Sequence, residues 1–269
     1  MRTLRRISAQ LLLGLFAVSL LSGLLPVFVY HPSDPYASVQ KLTFLVPWGA
    51  FFRQLHSFSS ELFLLVLLLH IALEISQRHP VISRTSWLYS VLATLAVVGL
   101  MFTGFVLKGD QSANAAAQVA LHLMEETPLL DRLVPLIKDS EMFTWKFFVW
   151  HGFYLPLLLI LGTWKHIGRI APRREYGIAG LGLSTLSLLL LPLPEDIAPH
   201  EAIDHLKGPW FFQGAEDLLQ LSLAPWLVNV VMFLPFALLL LYPFVRRTRW
   251  IGIALLLWLI GYTAVSLAV

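Results

Sequence analysis

The chain has 269 residues, 57% of them hydrophobic and only 13% charged, where a soluble domain of this size carries about 25% charged residues. That deficit, a mean hydropathy of +0.73 and repeated apolar runs of about 20 residues exclude an ordinary soluble enzyme and imply an all-α integral membrane protein. The absence of cysteine excludes disulfides, thiolate metal sites, iron–sulfur clusters and covalently attached c-type haem; the net charge of +3 matters less than where the basic residues sit, and no nucleic-acid partner is expected.

Seven spans are expected in chain order, at about 8–30, 56–77, 87–107, 145–168, 177–193, 225–245 and 250–268. The first follows MRTLRR and reads as a retained helix rather than a signal peptide, because its apolar stretch is too long and no A-x-A-like cleavage site is evident. The loops sort by charge. Arg2, Arg5 and Arg6 precede the first span, Arg78 and Arg84 follow the second, Lys165, Arg169, Arg173 and Arg174 end the fourth, and RRTR joins the last two. The connection 108–144 holds Asp110, Glu125, Glu126, Asp131, Asp139 and Glu141; the connection 194–224 holds Glu195, Asp196, Glu201, Asp204, Glu216 and Asp217. The positive-inside rule puts the amino terminus in the cytoplasm and the carboxyl terminus outside, in a membrane of the bacterial inner type. ALHLMEETPLLDRLVPLIKD and EAIDHLKGPWFFQGAEDLL read as short amphipathic helices at the outer surface, in contact with membrane lipid.

Four of the nine histidines fall inside spans: His56 and His70 on the second, His151 and His166 on the fourth. Fourteen or fifteen residues at about 1.5 Å each cover roughly 21–23 Å, which sets one histidine in each leaflet of a core about 30 Å thick. Fourteen steps of ~100° return to within ~40° of the starting direction and fifteen overshoot by ~60°, so each pair keeps to one broad face. Both helices run from outside to inside, so His56 levels with His151 and His70 with His166. Two facing imidazoles at each of two depths suit two non-covalent, bis-histidine b-type haems in a bundle core. Small residues recur at the same interval on the neighbouring spans, Ala9 and Gly23 on the first, Ser90 and Gly104 on the third, where a missing side chain admits a flat macrocycle. The competing reading is a haem-free transporter or scaffold that uses the histidines for proton relay or packing.

The motifs resemble the cytochrome b subunits of bc and bf complexes. GAFFRQLH is similar to that family's G-x-x-x-R-x-x-H at the start of the second helix, FTGFVLKGDQ resembles its G-Y-V-L-P-W-G-Q, and KFFVWHGFYLP its R-F-x-x-x-H-x-x-x-L-P. The fifteen-residue spacing in the fourth helix resembles the chloroplast type, with its two chains fused. The resemblance implies a four-helix dihaem bundle over 1–175 and a further three-helix region with an outer amphipathic loop over 176–269. It also implies that His56 and His151 ligate the outer haem, that His70 and His166 ligate the inner one, and that Arg53 pairs a haem propionate. Lys146 and Arg169 are candidate assistants to propionates. Arg78, His79 and Arg84 are available near the inner haem, but positive-inside anchoring is the reading preferred for them.

Departures from the family pattern bear on function. The family's outer quinol site carries P-E-W-Y, whose glutamate accepts a proton; here KGPWFF stands in its place and Pro209 occupies the glutamate position. Trp210 and Phe211 keep the aromatic part of this quinone region, and His205 or Glu216 are candidate replacement bases. Lys108 and Gly109 replace the proline and tryptophan of the third-helix motif. The expected function is a membrane cytochrome that moves electrons between the quinone pool and an outer redox partner (a Rieske protein, a multihaem cytochrome c or another oxidoreductase) as a subunit of a larger complex, without conventional outer-site bifurcation. A conventional quinol-oxidising subunit with a Rieske partner is the alternative.

Overall fold

The computed structural model describes residues 2–76, 83–138, 142–167, 172–191, 195–199, 201, 208–245 and 249–268. All regular structure among them is helical. The long elements are α1 (Arg2–Val29), α3 (Gly49–Ile75), α4 (Arg84–Val106), α8 (Leu155–Ile167), α9 (Arg174–Leu190), α11 (Pro225–Leu241) and α12 (Arg249–Ala268). Shorter ones join them: α2 (Pro35–Leu45), α5 (Gln111–Glu125), α6 (Val134–Ile137), α7 (Phe143–Val149) and α10 (Trp210–Gln220). Local chemistry explains the starts. Asp34, Ser83 and Asp110 accept backbone N–H bonds from Ala37, Ser86 and Ala113 at the first turns of α2, α4 and α5, which satisfies donors a helix leaves orphaned. Prolines open α2 and α11, where the missing N–H costs nothing.

Six helices among the described residues are long and apolar enough to cross a membrane: Thr3–Val29, Gly49–Ile75, Arg84–Val106, Phe143–Trp164, Pro225–Phe244 and Arg249–Ser266. The fifth expected span, 177–193, corresponds to α9, whose 17 residues cover about 26 Å and stand at the short end of what crosses a membrane. Of the two expected amphipathic segments, 120–139 is divided between the end of α5 and α6, and 201–219 overlaps α10; residues 139 and 202–207 lie outside the described residues.

Helices α1, α3, α4 and α8 form the bundle, with α1 packed along α3 and α4 along α8. Helix α9 lies against α1 and α3, while α11 packs on α4 and α5 and α12 on α10 and α3. Buried Leu64, Ala93, Ala96, Val97 and Leu159 fill the middle of the bundle. The outward faces are different. In the apolar stretches of Phe143–Trp164 and Arg249–Ser266 only 11% of residues are buried by the chain itself, so hydrocarbon or another subunit must cover the rest.

Between α7 and α8 the chain forms one π turn, Trp150–Tyr154, in which the Leu155 N–H donates to the Trp150 carbonyl. Pro156 follows and has no N–H to give, which leaves the α ladder open there. A π turn absorbs one residue. The fifteen residues from His151 to His166 therefore come closer to the fourteen from His56 to His70 than an unbroken α-helix allows, which removes much of the ~60° overshoot.

Candidate functional site

The bundle carries one candidate site at each end. At the first, His56 on α3 faces His151 in the π turn, with ring centroids 6.0 Å apart and planes at 80°. Each ring is tethered by Nδ1. His56 Nδ1 donates to the Ser19 carbonyl over 2.8 Å, and His151 Nδ1 lies 3.1 Å from the Leu100 carbonyl and 3.2 Å from Thr103 Oγ1. A carbonyl only accepts, so each neutral imidazole keeps its proton on Nδ1 and presents Nε2 with its lone pair. Gly23 and Gly104 make this possible. A Cβ on Gly23 would sit 2.9 Å from His56 Cε1, and one on Gly104 would sit 2.8 Å from His151 Cε1. The two glycines clear the imidazoles themselves, a tighter demand than space for a neighbouring ligand.

At the second end His70 is buried, with Nδ1 2.9 Å from Ser8 Oγ. That hydroxyl donates to the Arg5 carbonyl over 2.9 Å, so it receives the Nδ1 proton and the tautomer matches that of the first pair. Glu74, one turn along α3, places Oε1 3.9 Å from His70 Nε2 and 3.4 Å from Arg5 Nε. His70 opens on a mostly apolar cavity with Ala9, Ser90, Phe63, Leu159 and Thr163 in its wall. The His166 ring lies outside the described residues, but its helix contributes Leu159, Ile160 and Thr163 to this cavity, and position 166 follows Thr163 by about one turn. The interval pairs Ala9/Gly23 and Ser90/Gly104 thus map one member to each depth.

The remaining candidates divide. Arg53 donates through Nη2 to Asp196 Oδ1 at 2.5 Å and through Nη1 to Thr43 Oγ1 at 2.8 Å. Lys146 Nζ donates to the Leu136 carbonyl beside the exposed Trp145 and Trp150. Arg84 stacks over Phe244, 5.5 Å from the ring. Arg78, His79, Arg169 and His205 lie outside the described residues. Pro209 caps α10, Trp210 is 44% exposed, and Phe211 packs toward the bundle core. Glu216 turns back to accept the Gly208 N–H over 2.9 Å, so its carboxylate lies beside the residue preceding Pro209. Burial pushes its carboxyl up to about 7, against the lowering Gly208 bond and with added repulsion from Asp217. Sequence reasoning missed Asp196, Ser8 and Glu74. The i, i+4 spacing of His70 and Glu74 was the one available signal; nothing local announces Asp196.

Residues 7–171, more than half of the chain, match the family described as Cytochrome b/b6/petB. The chain belongs to the cytochrome b/b6 family. Over 175 residues it is 29% identical to the menaquinol:cytochrome c reductase cytochrome b subunit of Bacillus subtilis, a match that covers 61% of this chain and 75% of that protein. Cytochrome b6 of Cyanidium caldarium is 25% identical over 173 residues, covering 61% and 79%. The fold matches a chain of a hyperthermophilic respiratory complex III with a TM-score of 0.70 at 17% identity, across 97% of this cytochrome b and 82% of that chain.

Membership implies b-type haem, and the first site fits one. His56 and His151, facing each other with ring centroids 6.0 Å apart and each with Nε2 left to act as a ligand, would hold such a group between them. Both rings have Nδ1 committed to main chain, the arrangement that orients metal-binding histidines. At the second end a mostly apolar cavity meets a histidine in the same tautomer.

Proposed function

We propose that this cytochrome b carries electrons across the bilayer, between the quinone pool and a redox partner on the outer side, as one subunit of a larger oxidoreductase complex. The facing His56–His151 pair, tethered through Nδ1, carries this reading. His56 and His151 hold the outer haem and His70 and His166 the inner one; b-type haem supplies one-electron chemistry. The chain's own residues supply the rest. Ser19 and Leu100 carbonyls and the Ser8 hydroxyl orient the imidazoles, Gly23 and Gly104 give them room, and the apolar wall around His70 excludes water. The names of the Bacillus and Geobacillus relatives, menaquinol:cytochrome c reductase subunits, support a quinone partner and membership of a complex. The amino terminus is cytoplasmic on the loop-charge argument, with the His56 end outermost.

Purified protein should give two b haems per chain in a pyridine haemochrome assay, and His151→Ala and His70→Ala should each remove a different one. A well-folded sample without haem overturns the proposal in favour of a proton relay.

A specific observation supports the second reading, quinol oxidation at the outer face. Pro209 cannot accept a proton, but the Glu216 carboxylate is delivered to the same turn and its affinity for protons is balanced near neutrality. Inhibitor-sensitive quinol oxidation that Glu216→Gln abolishes favours this reading; haem reduction indifferent to Glu216 favours a conduit without that chemistry.

A further inference from the structure

The charges beyond the His56 end form one closed set. Arg53 lies three residues before His56, about 4.5 Å along the helix, and its guanidinium is held by Asp196 Oδ1 at 2.5 Å. The other Asp196 oxygen accepts from Gln40 Nε2 over 3.1 Å. Lys108 Nζ lies 3.7 Å from Asp196 Oδ1 and 2.7 Å from Asp110 Oδ2. Asp110 is fully buried, and its Oδ1 caps α5 through the Ala113 N–H. One residue after Asp196, the Ile197 carbonyl accepts the Gln111 N–H over 2.9 Å. Residues 196 and 197 are thereby tied to α2, α3, the end of α4 and the start of α5.

Two cations and two carboxylates balance here, and little of the set is solvated. The side chains of Arg53 and Asp196 are 15% and 7% exposed, so salt screens their field weakly. Lys108 stands where the resembling family has an uncharged residue, and Asp196, on a distant stretch of chain, comes within reach of both cations.

We infer that Asp196 is a positioning residue that sets the local charge at the His56 end, and hence the reduction potential of the haem held there. The inference rests on the haem reading proposed above. Asp196 holds the guanidinium in register and cancels a unit of charge that otherwise favours the reduced, less positive cofactor. Without that carboxylate the set carries net positive charge one helical turn from His56, and reduction at that end becomes easier. The His70 end lies on the far side of the hydrocarbon core and does not sense the change.

Redox titration of the purified full-length chain, with haem content measured alongside, provides the test. Asp196→Asn should raise the midpoint potential of the haem that His151→Ala removes and leave the other unmoved, and Asp196→Glu should restore it. Lys108→Met should shift the same haem downward. If Asp196→Asn loses that haem altogether, Lys108→Met decides: a downward shift confined to one haem supports the inference, and an unchanged potential overturns it. Equal shifts of both haems, or none in Asp196→Asn with two haems retained, also overturn it while leaving the haem reading intact. A folded wild-type chain without haem defeats both.

Discussion

At the His56 end both imidazoles hang from main-chain carbonyls, Ser19 and Leu100, whereas at the His70 end the imidazole hangs from the Ser8 hydroxyl. The first end is narrow, with glycine Cα atoms against the rings and a closed set of charges above it. The second opens into an apolar cavity and meets Arg5 and Glu74 at its mouth. Main-chain anchors survive any side-chain change but leave no slack for added bulk. A side-chain anchor tolerates bulk nearby and is lost with one atom. The same tautomer is thus secured by two devices with opposite vulnerabilities.

The largest effect should come from bulk at the narrow end. Gly104→Val puts carbon where the His151 ring sits; haem at that end should disappear while the other remains, read as one b haem per chain by pyridine haemochrome. Ser90→Val, its counterpart beside the cavity, should retain two. Next comes the hydroxyl. Ser8→Ala removes the hydroxyl that faces His70 Nδ1, and loss of such an outer partner weakens metal sites by about 10–100-fold. Haem extraction with apomyoglobin should find the His70-end haem released faster, with the His56 end unchanged. Equal loss from both ends would break the comparison.

A smaller effect concerns Glu216, on the helix that reaches the narrow end through Phe212, whose ring lies 5.1 Å from that of Phe102 at a tilt of 53°. Its carboxyl is raised from an ordinary value of 4.5 to about 7. The folded chain therefore keeps a proton between these values that the unfolded chain releases. The resulting contribution to stability is fully present below pH 4.5 and lost as pH rises through 7. Thermal melting in detergent should show that slope, and Glu216→Gln should flatten it. Smallest is Trp87→Phe in the cavity wall, which removes the 2.7 Å indole bond to the Leu239 carbonyl and should cost about 1 kcal/mol without altering haem content.

Much of this site was legible in the chain. His56, His70 and His151, with Gly23, Gly104, Ala9 and Ser90, stand on bundle helices at the depths their spacing predicts, because helical rise converts residue number directly into depth. What holds the rings was not legible. The Ser19 and Leu100 anchors are carbonyls, which every residue possesses, and the Arg53–Asp196 pair joins positions 143 apart. Helix α9 was expected at 177–193 and lies at Arg174–Leu190, the same length set about one turn earlier, because hydropathy alone does not mark where a helix begins or ends.

By itself the sequence determined the solvent and the repeat: composition demands lipid, and intervals of fourteen and fifteen residues set histidine positions about one hydrocarbon leaflet apart along two helices. These are properties of a helix considered alone. Tertiary structure decided which ring nitrogen is offered, how a π turn before Pro156 reconciles the unequal intervals, and which carboxylates meet Arg53, Lys108 and Gly208. Hydrogen bonds and charge pairs act over a few ångströms, and only the packing of α1 on α3, α4 on α8 and the 195–199 segment across their ends brings such partners within range.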